Sequence, residues 1–124
     1  MRQQKETSIC LICEEFNQDT LTLTKSSNTS DLKLEFVFIR DVKGSRHKRI
    51  KYTLLLDKKE ENILYDYIDG VNSDNSIRFD DGANDLEISL NNWNRTITLS
   101  INSNDIIASQ DNKQTILDLL DWRM

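Results

Sequence analysis

Apolar and polar residues alternate strictly through much of the first half of the chain. In TLTLTKS (20–26), Leu21 and Leu23 face one way and Thr20, Thr22 and Thr24 the other. LKLEFVFIRD (32–41) sets Leu32, Leu34, Phe36 and Phe38 against Lys33, Glu35, Val37 and Ile39, and RIKYTLLLD (49–57) aligns Ile50, Tyr52, Leu54 and Leu56. A period of two marks a strand with one buried face. TSICLICEEF (7–16) reads as a further strand. NQD (17–19) and SNTSD (27–31) are short turn chemistry, so these four strands are expected to form an antiparallel meander.

The period then changes. DKKEENILYDYIDG (57–70) opens on Asp-x-x-Glu, a variant of the capping box with Asp57 as N-cap and Glu60 reaching back. Leu64, Tyr67, Ile68 and Val71 recur at helical spacing, and Gly70 is placed to end the helix. Beyond a polar link, SIRF (76–79), LEISL (86–90) and TITLSI (96–101) alternate again, DDGAND (80–85) reads as a turn, and DIIAS (105–109) is a candidate short strand. The segment DNKQTILDLLDWRM repeats the Asp-x-x-Gln start at Asp111 and Gln114, with Ile116, Leu117, Leu119 and Leu120 as its apolar face.

The expected fold is therefore α+β: about seven strands, predominantly antiparallel and meander-type, with two helices near 58–69 and 112–122. The strands would form a sandwich or a curved sheet. Two capped helices, each following a meander, hint at duplication, although the side chains of the two halves do not align well. Four strands, three more and a final helix carrying Trp122 resemble the layout of pleckstrin-homology-like domains; the helix at 58–69 departs from it. That resemblance is one of architecture and implies no function.

Composition sharpens the picture. A chain of 124 residues fits a single domain, 1–124, and is long enough for a core without disulfides or metals. With no proline and three glycines, its turns fall to Asn, Asp and Ser. ICLIC near the start is too short for a signal h-region, and no apolar run approaches the ~20 residues that span a membrane. A soluble, cytoplasmic protein is the expectation.

Candidate chemistry is sparse. Cys10 and Cys13 have C-x-x-C spacing but lie in a strand-like run with no further Cys and a single His, so packing thiols are expected rather than a redox pair or a zinc site. Asp80, Asp81, Asp85 and Glu87 do not match the calcium-loop pattern. No glycine-rich phosphate loop or nucleophile elbow occurs. Neither a cofactor nor a metal is expected, and no enzymatic activity; a small carboxylate-based hydrolase is kept as an alternative.

Two features stand out against this background. The net charge is -5, yet from Arg40 to Lys51 six Lys or Arg stand against one Asp, a local +5 that leaves -10 for the rest. Lys43, Arg46, His47, Lys48, Arg49 and Lys51 are expected to form a basic loop, held on a rigid hairpin, that binds an anionic partner. Trp93, beside Arg95 in NNWNR, is placed at a hairpin tip, where it either folds back over the sheet or anchors a partner, since Trp and Arg dominate interface hot spots. Asp66, Asp69, Asp118 and Asp121 lie two per helix at i, i+3 and form an acidic surface. The function expected is a non-enzymatic protein-interaction module, such as an inhibitor, immunity protein or phage-encoded antagonist, binding a larger protein stoichiometrically by electrostatic complementarity. The alternative is nucleic-acid or anionic-ligand binding through the basic loop 43–51.

Overall fold

A computed structural model describes residues 6–16, 18–26, 31–42 and 46–120. The first meander comprises β1 (Glu6–Ile12), β2 (Thr20–Ser26), β3 (Leu32–Val42) and β4 (Arg46–Leu56), followed by α1 (Lys58–Asp69). The second comprises β5 (Ser76–Asp80), β6 (Asp85–Asn91), β7 (Thr96–Ile101) and β8 (Asn104–Ser109). A 3-10 turn (Gln110–Asn112) then leads into α2 (Lys113–Leu120). Each meander is its own antiparallel sheet, ordered as in the sequence. The fold is thus α+β with two ββββα units in a sandwich-like arrangement, and eight strands where about seven were expected. Trp122, on which the pleckstrin-homology-like layout drew, lies outside the described residues.

The alternation assigns the core correctly. Leu21, Leu23, Leu32, Leu34, Phe36, Phe38, Leu54 and Leu56 are buried in one hydrophobic cluster with Ile77, Phe79, Leu86, Ile88, Ile97, Leu99 and Ile101 of the second sheet. Leu64, Tyr67 and Ile68 of α1 and Ile116, Leu119 and Leu120 of α2 join the same cluster. The eighth strand exists because Asn102 and Ser103 both adopt positive φ (49° and 71°) between the paired residues Ile101 and Asn104. Two residues of that conformation make the tight turn whose twist suits a hairpin.

α1 is capped as its sequence implies. Glu60 N donates to Asp57 Oδ1 (2.8 Å) and Asp57 N to Glu60 Oε1 (3.1 Å). Gly70 ends the helix at φ 88°, so Val71 leaves the helical face and stands exposed rather than packing with Leu64, Tyr67 and Ile68. The second cap differs from the expected one. Ser109, not Asp111, caps the 3-10 turn by accepting from Asp111 N (3.1 Å), and the Gln114 side chain donates to Asp118 (2.8 Å). The helix accordingly starts with a tighter turn at 110–112.

The first strand is shorter than the run 7–16, because the chain beyond Ile12 joins the two sheets. Glu14 N donates to Ile107 O (2.8 Å), Ile107 N to Cys13 Sγ (3.4 Å), and Cys13 N to Asp19 O (3.0 Å). Cys13 is buried at this junction, while Cys10 is exposed rather than packed; both thiols are free. Turns of the second sheet also lean on β4: Asn84 Nδ2 donates to Thr53 O (2.9 Å), while Asn84 Oδ1 accepts from Asn102 Nδ2 (2.9 Å).

One buried ion pair and one half-buried pair tie these elements together, and alternation alone does not announce them. Lys25 of β2 and Glu61 of α1, both about 5% exposed, form an ion pair inside the core. Asp19, fully buried, accepts from Ile39 N (3.0 Å) and from Arg40 Nη1 (2.9 Å), fixing the turn before β2 to the far end of β3.

Candidate functional site

The connection between β6 and β7 carries the most exposed large apolar side chain among the described residues, on a turn braced by several hydrogen bonds. Asn91 and Thr96 pair across it, so residues 92–95 form the turn. The side-chain amide of Gln110, itself buried, donates to Asn91 O (3.0 Å), Asn92 Oδ1 (3.0 Å) and Thr96 O (3.1 Å). Its backbone N donates to Arg95 O (2.8 Å), which holds Arg95 at φ 57°. Trp93 N donates to Asn91 Oδ1 (3.0 Å) and Thr96 Oγ1 to Asn94 Oδ1 (2.6 Å). The main chain on both sides of Trp93 is therefore pinned, while its indole is 95% exposed and does not fold back over the sheet.

Beside this turn lies a polar cleft of about 310 Å³ bounded by Asn72, Asn75, Asn92, Lys113 and the end of α1 at Gly70. Tyr67 forms its floor, donating to Asn75 O (2.9 Å) and accepting from Leu90 N (3.1 Å). Val71 and Trp93, exposed by 72% and 95%, are the chain neighbours of two rim residues, Gly70 and Asn92. Asp66 and Asp69 are exposed on α1, with Asp69 next to Gly70. Asp118 is exposed on α2, which packs against α1. Asp121 lies outside the described residues. The structure thus brings Trp93 and the end of α1 to one end of the molecule.

The basic segment takes a different form from the expected loop. Lys43 lies outside the described residues. Arg46, His47, Lys48, Arg49 and Lys51 belong to β4, so most of the segment is strand. β2 pairs with β3 only as far as Thr20 and Val37, whereas β3 and β4 continue through five further pairs, from Phe38–Ile50 to Val42–Arg46. The β3–β4 pair therefore runs about 16 Å past its last pairing with β2, as a two-stranded arm whose base, at Phe38, is still buried in the core. Asp19 braces its base through Arg40, whose guanidinium also lies over the rings of Phe38 (5.3 Å) and Phe16 (5.6 Å). Lys48 and Arg49 are exposed and have no ion pair among the described residues; Arg46 and His47 are placed by register opposite Val42 and Asp41. Lys51 is exposed but bonded to Glu35 (2.9 Å), which Lys33 also approaches (3.4 Å). The hydrogen bond from Lys51, assisted by Lys33, holds the Glu35 carboxyl below its usual range.

No protein-family model matches the chain, and no curated protein sequence does.

The carboxylates of Asp80, Asp81, Asp85 and Glu87 are engaged locally. Asp80 Oδ1 accepts from Gly82 N (2.7 Å), and Asp81 Oδ1 from Ala83 N (2.9 Å) and Asn84 N (2.7 Å), which makes DDGAND the expected turn. Asp85 and Glu87 both approach Arg78, at 3.5 and 3.8 Å. Among the described residues no group of three His, Cys, Asp or Glu is placed to hold a metal ion, and no helix is long and apolar enough to cross a membrane. Gln110 clamps the turn that carries Trp93, and no sequence pattern singles it out. Its only local signal is position, directly after the β8 alternation, where a buried amide has strand-end groups within reach.

Proposed function

We propose that this chain is a non-enzymatic protein-interaction module that binds one larger protein stoichiometrically, with Trp93 as its anchor. One observation carries the reading: an indole almost wholly in water on a turn whose backbone is fixed from beneath by Gln110. A tryptophan of about 200 Å² buried on binding returns about 5 kcal/mol of hydrophobic free energy. A turn already rigid loses little entropy when it docks, so less of that gain is cancelled. Val71, exposed beside the same cleft, offers a second apolar contact. The cleft lined by Asn72, Asn75, Asn92 and Lys113 supplies polar rim groups, and Arg95, Asp66, Asp69 and Asp118 provide charges that steer and orient a partner. An inhibitor, an immunity protein or a phage-encoded antagonist works in this way, by occupancy rather than turnover.

The test is affinity capture from the source cell with wild-type and Trp93→Ala chains, read by mass spectrometry for protein and nucleic acid, followed by titration of the purified candidate. A partner that saturates at a fixed stoichiometry with wild type and is lost with Trp93→Ala supports the reading. Recovery of the same partners with both chains contradicts it.

A further inference from the structure

The arm of β3 and β4 has an open edge whose hydrogen-bonding direction can be read from two independent contacts. Thr53 O is directed away from β3, because it accepts from Asn84 of the other sheet. Ile39 N is directed away from β4, because it donates to Asp19. Thr53 pairs with Glu35 and Ile39 with Arg49, and in an antiparallel ladder such outward-bonding pairs recur at every second residue. Both contacts therefore give the same phase. The backbone N–H and C=O groups of His47, Arg49 and Lys51 face outward. β4 is the last strand of its sheet, and no hydrogen bond among the described residues reaches these groups.

We propose that this edge is a docking site for an extended, acidic protein segment, which adds as a further strand beside residues 47–51. The inference takes from the reading above only that the partner is a protein. Main-chain pairing supplies the affinity of such an addition, and side chains on alternate positions supply its selectivity. Arg49 and Lys51 are exposed on the outer face, about 7 Å apart along the strand, so an added strand is matched by Asp or Glu at alternate positions. Between them, Ile50 lies half-buried on the opposite face and favours an apolar residue there.

The same cations oppose the other occupants. Two copies pairing through this edge would bring Lys48, Arg49 and Lys51 against their own counterparts, which disfavours self-association. Nucleic acid meets the local +5, but it must also approach a chain whose other residues sum to -10. A short acidic strand reaches the arm without covering the rest of the molecule.

The experiment uses the full chain and an eight-residue peptide of alternating Glu and Val, monitored by NMR or fluorescence anisotropy at low salt. The probes for comparison are an alternating Lys and Val peptide, the Glu peptide N-methylated on every second residue, and a duplex DNA of similar charge. The expected result is binding of the Glu peptide at least about tenfold tighter than the Lys peptide, with loss on N-methylation and in Arg49→Glu/Lys51→Glu. Amide shifts should centre on His47, Arg49 and Lys51. Equal binding of the N-methylated peptide would reduce the effect to charge attraction and overturn strand addition. Preferential binding of the DNA, or no binding of the Glu peptide, would also overturn the proposal. Trp93 lies beyond the opposite end of β7 from the turn at Asn102 and Ser103, so Trp93→Ala should bind the peptide normally. Failure here therefore leaves the Trp93 reading standing, and failure there leaves this one.

Discussion

The buried side-chain amide of Gln110 donates to Asn92 Oδ1 at 3.0 Å, one residue from an indole that stands in water. The same amide reaches the carbonyls of Asn91 and Thr96, so a single residue beyond β8 sets the shape of the turn between β6 and β7. Rigidity and exposure of Trp93 are thus produced by different residues and can be separated by mutation.

Gln110→Ala removes the amide shared among three acceptors, of which the bond to Thr96 O is buried, an expected loss of about 2 kcal/mol. Trp93→Ala removes a side chain that packs on nothing and should leave stability within about 0.5 kcal/mol. Urea unfolding of the two variants against wild type checks the contrast. Equal losses would mean that the indole packs on the protein.

Lys25 and Glu61 illustrate a relationship that sequence patterns hide. Removing one partner, as in Lys25→Met, strands a buried charge and should cost about 3–5 kcal/mol. Replacing both, as in Lys25→Met/Glu61→Leu, should recover most of that loss, because Glu61 Oε2 has no hydrogen-bond partner in the core. A double-mutant cycle by chemical denaturation measures this, and additive losses would contradict it.

Asp19 should be the more sensitive member of its pair. Asp19→Ala leaves Ile39 N without its acceptor and frees Arg40 at the base of the arm, with an expected loss of about 3 kcal/mol. Hydrogen exchange should show the amide of Ile39 and its neighbours in β3 losing protection before the centre of the sheet does. Unchanged exchange there would remove Asp19 as the brace.

Glu35 gives the outer face of the first sheet a pH dependence. Its folded-state pKa lies below the ordinary value of 4.5, so the unfolded chain binds the proton more readily. The stabilisation from Lys51 and Lys33 is present above pH 4.5 and is lost as the pH falls through the folded-state value. Glu35→Gln should flatten the stability profile in that acidic window and leave the slope near neutrality unchanged. A wild-type slope in Glu35→Gln would assign the dependence to other carboxylates.

Most of the fold was legible because the core is built on period-two strands and one well-capped helix. Leu32 to Phe38 and Leu54 to Leu56 were assigned by alternation alone, and Asp57, Glu60 and Gly70 by cap chemistry. What escaped depends on contacts distant in sequence. Lys25 occupies the parity of Leu21 and Leu23, and Glu61 lies three residues before Leu64, but only their meeting explains two charges on buried faces. The basic segment was legible as charge and misplaced as structure, since six cations do not reveal that β4 continues to Arg46 beyond the pairing of β2. Trp93 was placed at its hairpin tip, whereas the Gln110 clamp that makes it a presented side chain was invisible without the fold.

The most direct test of the interaction reading is calorimetric titration of the purified partner with wild-type and Trp93→Ala chains. The account predicts a fixed stoichiometry for wild type and, for Trp93→Ala, an affinity loss of about 2–4 kcal/mol, some 30- to 1,000-fold, with an unchanged unfolding midpoint. Equal affinity of the two chains would contradict it.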